Sequence, residues 1–282
     1  MADQTSKPRP DFAVIGAMRG GTTQLYELLR SVSGVCVPRM KETDFFCSKE
    51  SVAKGPEWYA RQFSDPNALW GDISPNYAKT DVNPDAPALL HAANPDMKLF
   101  FIARDPVERA ISHYKMSHYL EENLPEPEHL LSTWSGKHIL HASHYHKCLV
   151  PFWDRFGDQI TILDFETLVR DPNQAVAAIC ETLGIEPVRV DIEAEPKNSF
   201  DELSRRPDWW NRLRQSDVGD RLRGRMPRPL LNLAKRKLAL AEPKAPPPPF
   251  PQSVREKIAE RLVGDARRFR AQTGLAFESW SI

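Results

Sequence analysis

The chain has 282 residues, and its 38 basic and 38 acidic side chains cancel to a formal net charge of zero. That balance argues against a general polyanion coat or a histone-like function, which need a large basic excess. A hydrophobic share of 41% suits a real core and is too high for a disordered chain. No stretch approaches the roughly 18 consecutive apolar residues of a membrane span, so none is expected.

The first ten residues, MADQTSKPRP, hold no apolar stretch, and no secretory signal is expected there. Phe12–Ile15 then reads as a buried strand ending at Gly16, and Thr22–Leu29 as a helix with Leu25, Leu28 and Leu29 on one face. Val35–Val37 is a second short strand, Trp58–Phe63 helical, Leu69–Ile73 extended and Ala86–Ala93 helical. Lys98–Ala103, KLFFIA, has the near-continuous apolar character of a strand covered on both faces. A helix follows over Pro106–Leu120, with Asp105 as N-cap, Pro106 at the first helical position and Glu108 at capping-box spacing. Residues 121–136 read as loop, His144–Phe156 as helix, Ile160–Leu163 as strand and Asn173–Leu183 as a helix stopped by Gly184. Residues 185–250 carry no clear period, and Gln252–Thr273 is a long final helix. Strands alternating with helices imply an α/β fold, a single P-loop-like domain over 1–282 with a central parallel sheet and helices on both faces.

Two further asymmetries stand out. Residues 1–200 hold 20 basic and 28 acidic side chains, while 201–282 hold 18 and 10. Prolines number 25 against 13 glycines, and many cluster at 243–251. Residues 203–250 therefore read as a basic, Pro-rich insertion or lid. Its portion 203–244 is rich in Trp and Arg, suited to an anionic membrane surface, an acidic glycan or simple solvation. The four cysteines, Cys36, Cys47, Cys148 and Cys180, show no CxxC spacing and read as reduced thiols of a cytoplasmic protein, peripheral to the inner membrane surface if 203–244 meets lipid.

The sharpest chemical signal is GAMRGGTT at 16–23, between the first strand and the first helix. Gly20 and Gly21 let the backbone curl around an anion, and the leading N–H groups of the helix point into the curl. Thr22 and Thr23 add hydroxyls, and Arg19 adds a fixed charge. A kinase or ATPase loop, GxxxxGK[ST], places Lys where this chain has Thr22, so metal-assisted ATP hydrolysis is poorly supported. Arg104, at the end of KLFFIA, and Ser112, two turns into the next helix, make a second anion cradle facing the same crevice.

Taken together, GAMRGGTTQL at 16–25 and RDPVERAISHY at 104–114 resemble the sulfotransferases that use 3′-phosphoadenylyl sulfate (PAPS). KETDFF at 41–46, EWYARQF at 57–63, GDISPNY at 71–77 and LAFESW at 275–280 extend the resemblance in order. The likeness is to the heparan-type carbohydrate enzymes and their bacterial relatives, over about residues 11–185 and 247–282. The resemblance implies that Arg19, Gly20, Gly21, Thr22 and Thr23 hold the 5′-phosphosulfate and that Arg104 and Ser112 hold the 3′-phosphate. It implies Glu42 as general base, with Asp44 and Asp72 in reserve, and Arg19 as the second catalytic group. It implies PAPS as co-substrate, PAP as product, no metal, no nucleic acid, and an acceptor hydroxyl or amine on a glycan, lipid or small molecule. Three positions depart from the pattern. The family usually has Lys at Arg19, and some heparan-type members have Lys at Ile73. Its late basic nucleotide loop falls at Pro248–Pro251, which is uncharged, leaving Lys197 and Asn198 as stand-ins. A non-catalytic nucleotide-binding P-loop module and a P-loop phosphotransferase are the alternatives.

Four histidines, His138, His141, His144 and His146, lie close in sequence, but their spacing does not share one helical face, and polar contacts in an acceptor cleft suit them better than a metal.

Overall fold

The computed structural model describes residues 9–120, 124–190 and 245–282. Five parallel strands form one sheet in the order β2-β3-β1-β4-β5. They are β1 (Phe12–Gly16), β2 (Val35–Cys36), β3 (Leu69–Ile73), β4 (Lys98–Ala103) and β5 (Ile160–Asp164). β1 pairs with β3 through Phe12–Gly71 and with β4 through Phe12–Lys98, so the strand order reverses direction at the centre. That reversal opens a crevice at the carboxyl ends of β1 and β4, the place where α/β sheets take ligands.

Strand geometry sends alternate side chains to opposite faces, and both faces are apolar here. Ala13, Ile15, Leu99 and Phe101 pack with Leu90, Phe152 and Phe269 from α4 (Ala86–Ala93), α8 (Tyr145–Phe156) and α11 (Gln252–Thr273). Phe12, Val14, Phe100 and Ile102 pack on the other face with Leu25 and Leu29 of α1 (Thr22–Leu29) and with Val176 and Ile179 of α10 (Pro172–Leu183). This double cover is why KLFFIA has no polar phase. A third cluster joins α5 (Pro106–Leu120) and α7 (Trp134–His141) to α11 through Val107, Ile111, Ile139 and Leu262. It fixes α5, which carries one wall of the crevice.

Several expected elements shift for local reasons. The stretch expected as loop over 121–136 contains α6 (Pro127–Leu130) and the start of α7. Pro127 takes the first turn of α6, and Thr133 caps α7 by accepting from Gly136 N–H at 3.1 Å. The segment expected over Trp58–Phe63 is α3 (Pro56–Ala60), opened by Pro56, and a one-turn α2 (Lys49–Val52) precedes it. β5 runs one residue further than expected, because Asp164 caps the unexpected α9 (Phe165–Arg170) by accepting from Thr167 N–H at 2.9 Å. Gly184, in the left-handed region at φ 67°, ends α10 as expected. Asp105 caps α5, accepting from Val107 and Glu108 N–H at 2.8 and 3.0 Å. The reciprocal half of the capping box is not made, since Glu108 pairs instead with Arg255 of α11. The basic stretch 203–244, Lys197 and Asn198 lie outside the described residues. The uncharged segment 245–251 before α11 has no regular secondary structure, and Phe250 packs edge-on against Tyr114 at 4.9 Å.

Candidate active site

The loop between β1 and α1 wraps back on itself. Ala17 N–H donates to the Ile102 carbonyl at 3.1 Å, tying the loop to β4, and Gly20 N–H donates to the Ala17 carbonyl at 2.9 Å. A Cβ added at Gly20 would lie 2.9 Å from both the Ala17 and the Ile102 oxygens, so only glycine fits that curl. Gly21 stands in the left-handed region at φ 91° and turns the chain into α1. Leu25 N–H makes the first bond back to Gly21, so the leading N–H groups of α1 open on the crevice. This is the geometry of an anion-binding turn.

The two anion cradles inferred from distant sequence segments meet directly. Arg19 Nε donates to Ser112 Oγ at 3.0 Å across 93 residues of chain. Arg104 donates from Nη1 to the Arg19 carbonyl at 3.1 Å, and its guanidinium lies over the Phe165 ring at 4.6 Å. Tyr145 holds the Arg104 carbonyl with its hydroxyl at 2.8 Å. Burial, then the neighbouring Arg104 charge, lowers the Arg19 pKa, while Glu42 opposes the shift. Arginine stays charged through such a shift, so the crevice keeps two fixed cations side by side.

Arg109 is the member that sequence reasoning missed. It is completely buried one turn into α5. Its Nε donates to Ser143 Oγ at 2.5 Å, its Nη2 to the Ile139 carbonyl, and its Nη1 to the Met18 carbonyl at 3.3 Å. His113, on the same face of α5, lies 3.2 Å from Nη1. Burial pushes the Arg109 guanidinium down to about 10 and holds His113 well below its ordinary pKa, so His113 is neutral at pH 7. Arg109 thus clamps the loop between β1 and α1 through the Met18 carbonyl. It carries no local sequence signal, since its partners Met18, Ile139 and Ser143 come from distant segments.

On the opposite wall, the segment after β2 carries Glu42 and Asp44 and β3 carries Asp72, and these three carboxyl candidates stand in different surroundings. Asp72 is fully buried at the end of β3 and accepts from Thr43 Oγ1 at 2.7 Å, Tyr59 and Tyr77 hydroxyls at 2.9 Å each, and Ser74 Oγ at 2.8 Å. Four donors saturate it, and burial raises its pKa against their pull. It is a mount rather than a base. Thr43, gripped by Asp72, pins the backbone between Glu42 and Asp44, and both of these stand at positive φ, 64° and 49°. Among the described residues only Arg19, Glu42, Asp44 and Phe277 do so without being glycine. Strain of this kind costs about 1–3 kcal/mol per residue and gathers at functional sites.

Glu42 is partly exposed and pairs with Lys41. Its charge is felt at Arg19, Asp44 and Lys79. The structure therefore brings Arg19, Gly20, Gly21, Thr22, Arg104, Ser112 and Glu42 to one crevice, with Thr23 following on α1. The Ile73 side chain is buried in the apolar core with Leu25 and Leu29 of α1, while its carbonyl accepts from Glu42 N–H at 3.2 Å. The histidines do not form one cluster. His138 Nδ1 bonds Asp81 at 2.7 Å, His141 Nε2 lies 3.2 Å from Thr80 Oγ1, and His144 faces Asp265 of α11 at 4.0 Å. Among the described residues no three His, Cys, Asp or Glu side chains are arranged to hold a metal ion. No described helix is long and apolar enough to cross a membrane. The four cysteines are buried and unpaired.

Comparison with known proteins gives a consistent result. Residues 9–222 match the family model described as Sulfotransferase domain. The chain is 32% identical over 207 residues to heparan sulfate glucosamine 3-O-sulfotransferase 3A1 of Mus musculus, covering 68% of this chain and 50% of that protein. It is 33% identical over 138 residues to the membrane-associated sulfotransferase kil1 of Dictyostelium discoideum, covering 47% of this chain and 27% of that one. The chain spans about half the length of the first of these relatives, and less of the second. A solved sulfotransferase from Alicyclobacillus acidocaldarius superposes with a TM-score of 0.58 at 24% identity, over 69% of this chain and 89% of that one, a likeness of fold.

Proposed function

The chain belongs to the sulfotransferase family, and on that premise we propose that it transfers a sulfuryl group from PAPS to an acceptor hydroxyl or amine. The observation that carries the donor assignment is the junction of Arg19, Ser112 and Arg104, two cations and a hydroxyl beside a glycine curl too tight for any side chain. A nucleotide with anionic groups at both its 5′ and 3′ positions fits two cradles better than a triphosphate fits either. The donor supplies an activated sulfuryl group, which carries less charge than a phosphoryl group and can be balanced by fixed cations.

The chain's own residues then divide the work. Gly20, Gly21, Thr22 and Thr23, with the opening of α1, bind the 5′ anionic end. Arg104 and Ser112 bind the 3′-phosphate. Arg19 offers its charge where negative charge grows on the leaving phosphate, without giving up a proton. Glu42 accepts the proton of the acceptor as the new bond forms. Asp72 and Thr43 hold Glu42 in its strained backbone, and Arg109 holds the loop. The acceptor of this reading is a glycan hydroxyl or a lipid-linked group, supported by likeness to relatives named for a glycan and for the membrane. Residues 1–282 working as one domain in the cytoplasm belong to the same proposal.

A P-loop phosphotransferase is the second reading, opposed by Thr22 at the position where such loops carry Lys. Thermal shift separates the two. PAP at about 100 times its Kd stabilises by about 2.7 kcal/mol, a rise of several degrees. ATP with magnesium at the same concentration is expected to give a much smaller rise. Equal or greater stabilisation by ATP with magnesium would reverse the assignment.

A further inference from the structure

Among the described residues, a buried carboxylate oxygen next to Glu42 is left without a partner, and an ammonium near it makes no hydrogen bond or ion pair. Asp44 Oδ2 accepts from Asn76 Nδ2 at 3.0 Å, but its Oδ1 is buried and has no hydrogen-bond partner. The Cys47 thiol beside it is a weak donor and does not satisfy a carboxylate. Lys79 is only 9% exposed, and among the described residues its ammonium makes no hydrogen bond and no ion pair within 4 Å. The two belong to one turn. Asn76, which holds Asp44 with its side chain, accepts from Lys79 N–H with its carbonyl at 3.1 Å. Glu42 and Asp44 both act on the Lys79 charge, as do Arg109 and Asp81. A buried polar atom left unpaired costs about 1–3 kcal/mol, so a fold that keeps Asp44 Oδ1 unpaired next to Glu42, with the Lys79 ammonium on the turn of its partner Asn76, has a use for it.

Resting on the sulfotransferase reading, we propose that Asp44 and Lys79 form an acceptor subsite beside Glu42. Asp44 Oδ1 accepts a hydrogen bond from the acceptor, and Lys79 donates one to it, at the group next to the hydroxyl that Glu42 deprotonates. The occupant must offer a donor and an acceptor within a short span, as a vicinal diol does. It must also be uncharged there. Glu42, Asp44 and Asp81 act on Lys79 together with the buried Arg109, so three acids balance two cations and leave no excess positive charge for a carboxylate or sulfate. The pair therefore selects a neutral polyol over an anionic one at this position. Asp72 does not join it, because its four donors are internal.

The test uses three probe acceptors with PAPS, reading PAP formed: methyl glucopyranoside, its 6-carboxylate analogue, and cyclohexylmethanol, which has a single hydroxyl. The wild type should turn over the neutral glycoside with the highest kcat/KM. Asp44→Asn keeps the volume, satisfies Asn76 with its carbonyl, and turns the free position from acceptor to donor. Lys79→Met keeps the stem and removes the charge. Each variant should lower the ratio of kcat/KM for the glycoside over cyclohexylmethanol by about tenfold or more, mainly through KM, and Lys79→Arg should recover most of it. PAP stabilisation should persist in all variants, which shows that they fold and bind donor. Ratios within twofold of wild type, a wild-type preference for the carboxylate, or turnover of none of the three while PAP still binds would each overturn the subsite. Loss of PAP binding in the wild type would instead overturn the sulfotransferase reading beneath it.

Discussion

The two walls of the crevice are built in opposite ways. On the side proposed for the donor, the two arginines and the loop that carries Arg19 are tied to other groups. Arg19 is held by Ser112, Arg104 by the Arg19 carbonyl and Tyr145, and the loop by Arg109 and Ile102. On the acceptor side the mount is tied and the tips are not. Asp72 and Thr43 are saturated, while among the described residues Asp44 Oδ1 has no hydrogen-bond partner, the Lys79 ammonium makes no hydrogen bond or ion pair, and Glu42 is partly exposed. A site that receives one fixed nucleotide can be assembled in advance, since preorganised donors cost nothing at the moment of reaction. A site that must also admit a second substrate leaves its contacts to be completed by that substrate.

The comparison is broken most severely at Glu42. Glu42→Gln keeps the shape and removes the proton acceptor, so turnover with PAPS should fall by roughly 10²–10⁴-fold while PAP affinity stays within a few fold. Steady-state kinetics beside a PAP titration reads both. A parallel loss of PAP binding would place Glu42 on the donor wall, and unchanged turnover would remove it from the chemistry.

A smaller effect tests the looseness of the acceptor wall through pH. Burial, with Glu42 second, raises the Asp44 pKa from 3.8 to about 7. The folded state thus holds a proton that the unfolded chain has lost across that interval. Asp44 costs nothing at low pH, and its stability contribution declines as pH climbs through the interval and levels off above about 7. Three pKa units correspond to about 4 kcal/mol at most, less for the part of the carboxyl that water reaches. Asn cannot ionise, so the Tm of Asp44→Asn minus that of wild type should increase from pH 5 to pH 8. A difference that is flat with pH would mean that Asp44 ionises freely in the folded state.

The same contrast explains what the sequence could carry. Donor-wall chemistry is written locally: Arg19, two glycines and two threonines follow an apolar strand, and Arg104 ends another. Fixed spacing brings backbone N–H groups and cations to predictable places, and the sheet topology then joins them. Asp105 as a cap was readable for the same reason. The acceptor wall depends on tertiary contacts with no local signature. Nothing in KETDFF marks Glu42 and Asp44 as left-handed, since neither is glycine or asparagine. Asp72 and Asp44 are both acids near the site, yet only packing against Tyr59, Tyr77 and Ser74 makes one a saturated anchor and leaves the other with a free oxygen. Arg109 reads as an ordinary helix residue until Ser143, Ile139 and Met18 close around it. Glu108 had the right spacing for a capping box and was taken by Arg255 from 147 residues away.

On the proposed donor side, a nucleotide is recognised by its 3′-phosphate as well as its 5′ end. Calorimetric titration of the wild type and Arg104→Ala with PAP and with adenosine 5′-phosphate tests it directly. Charge-assisted hydrogen bonds are worth about 1.5–3 kcal/mol, so the wild type should prefer PAP by roughly 10–100-fold or more, and Arg104→Ala should lose most of that preference while still binding adenosine 5′-phosphate. Equal affinity of the wild type for the two nucleotides, or a preference for PAP that survives loss of Arg104, would contradict the account.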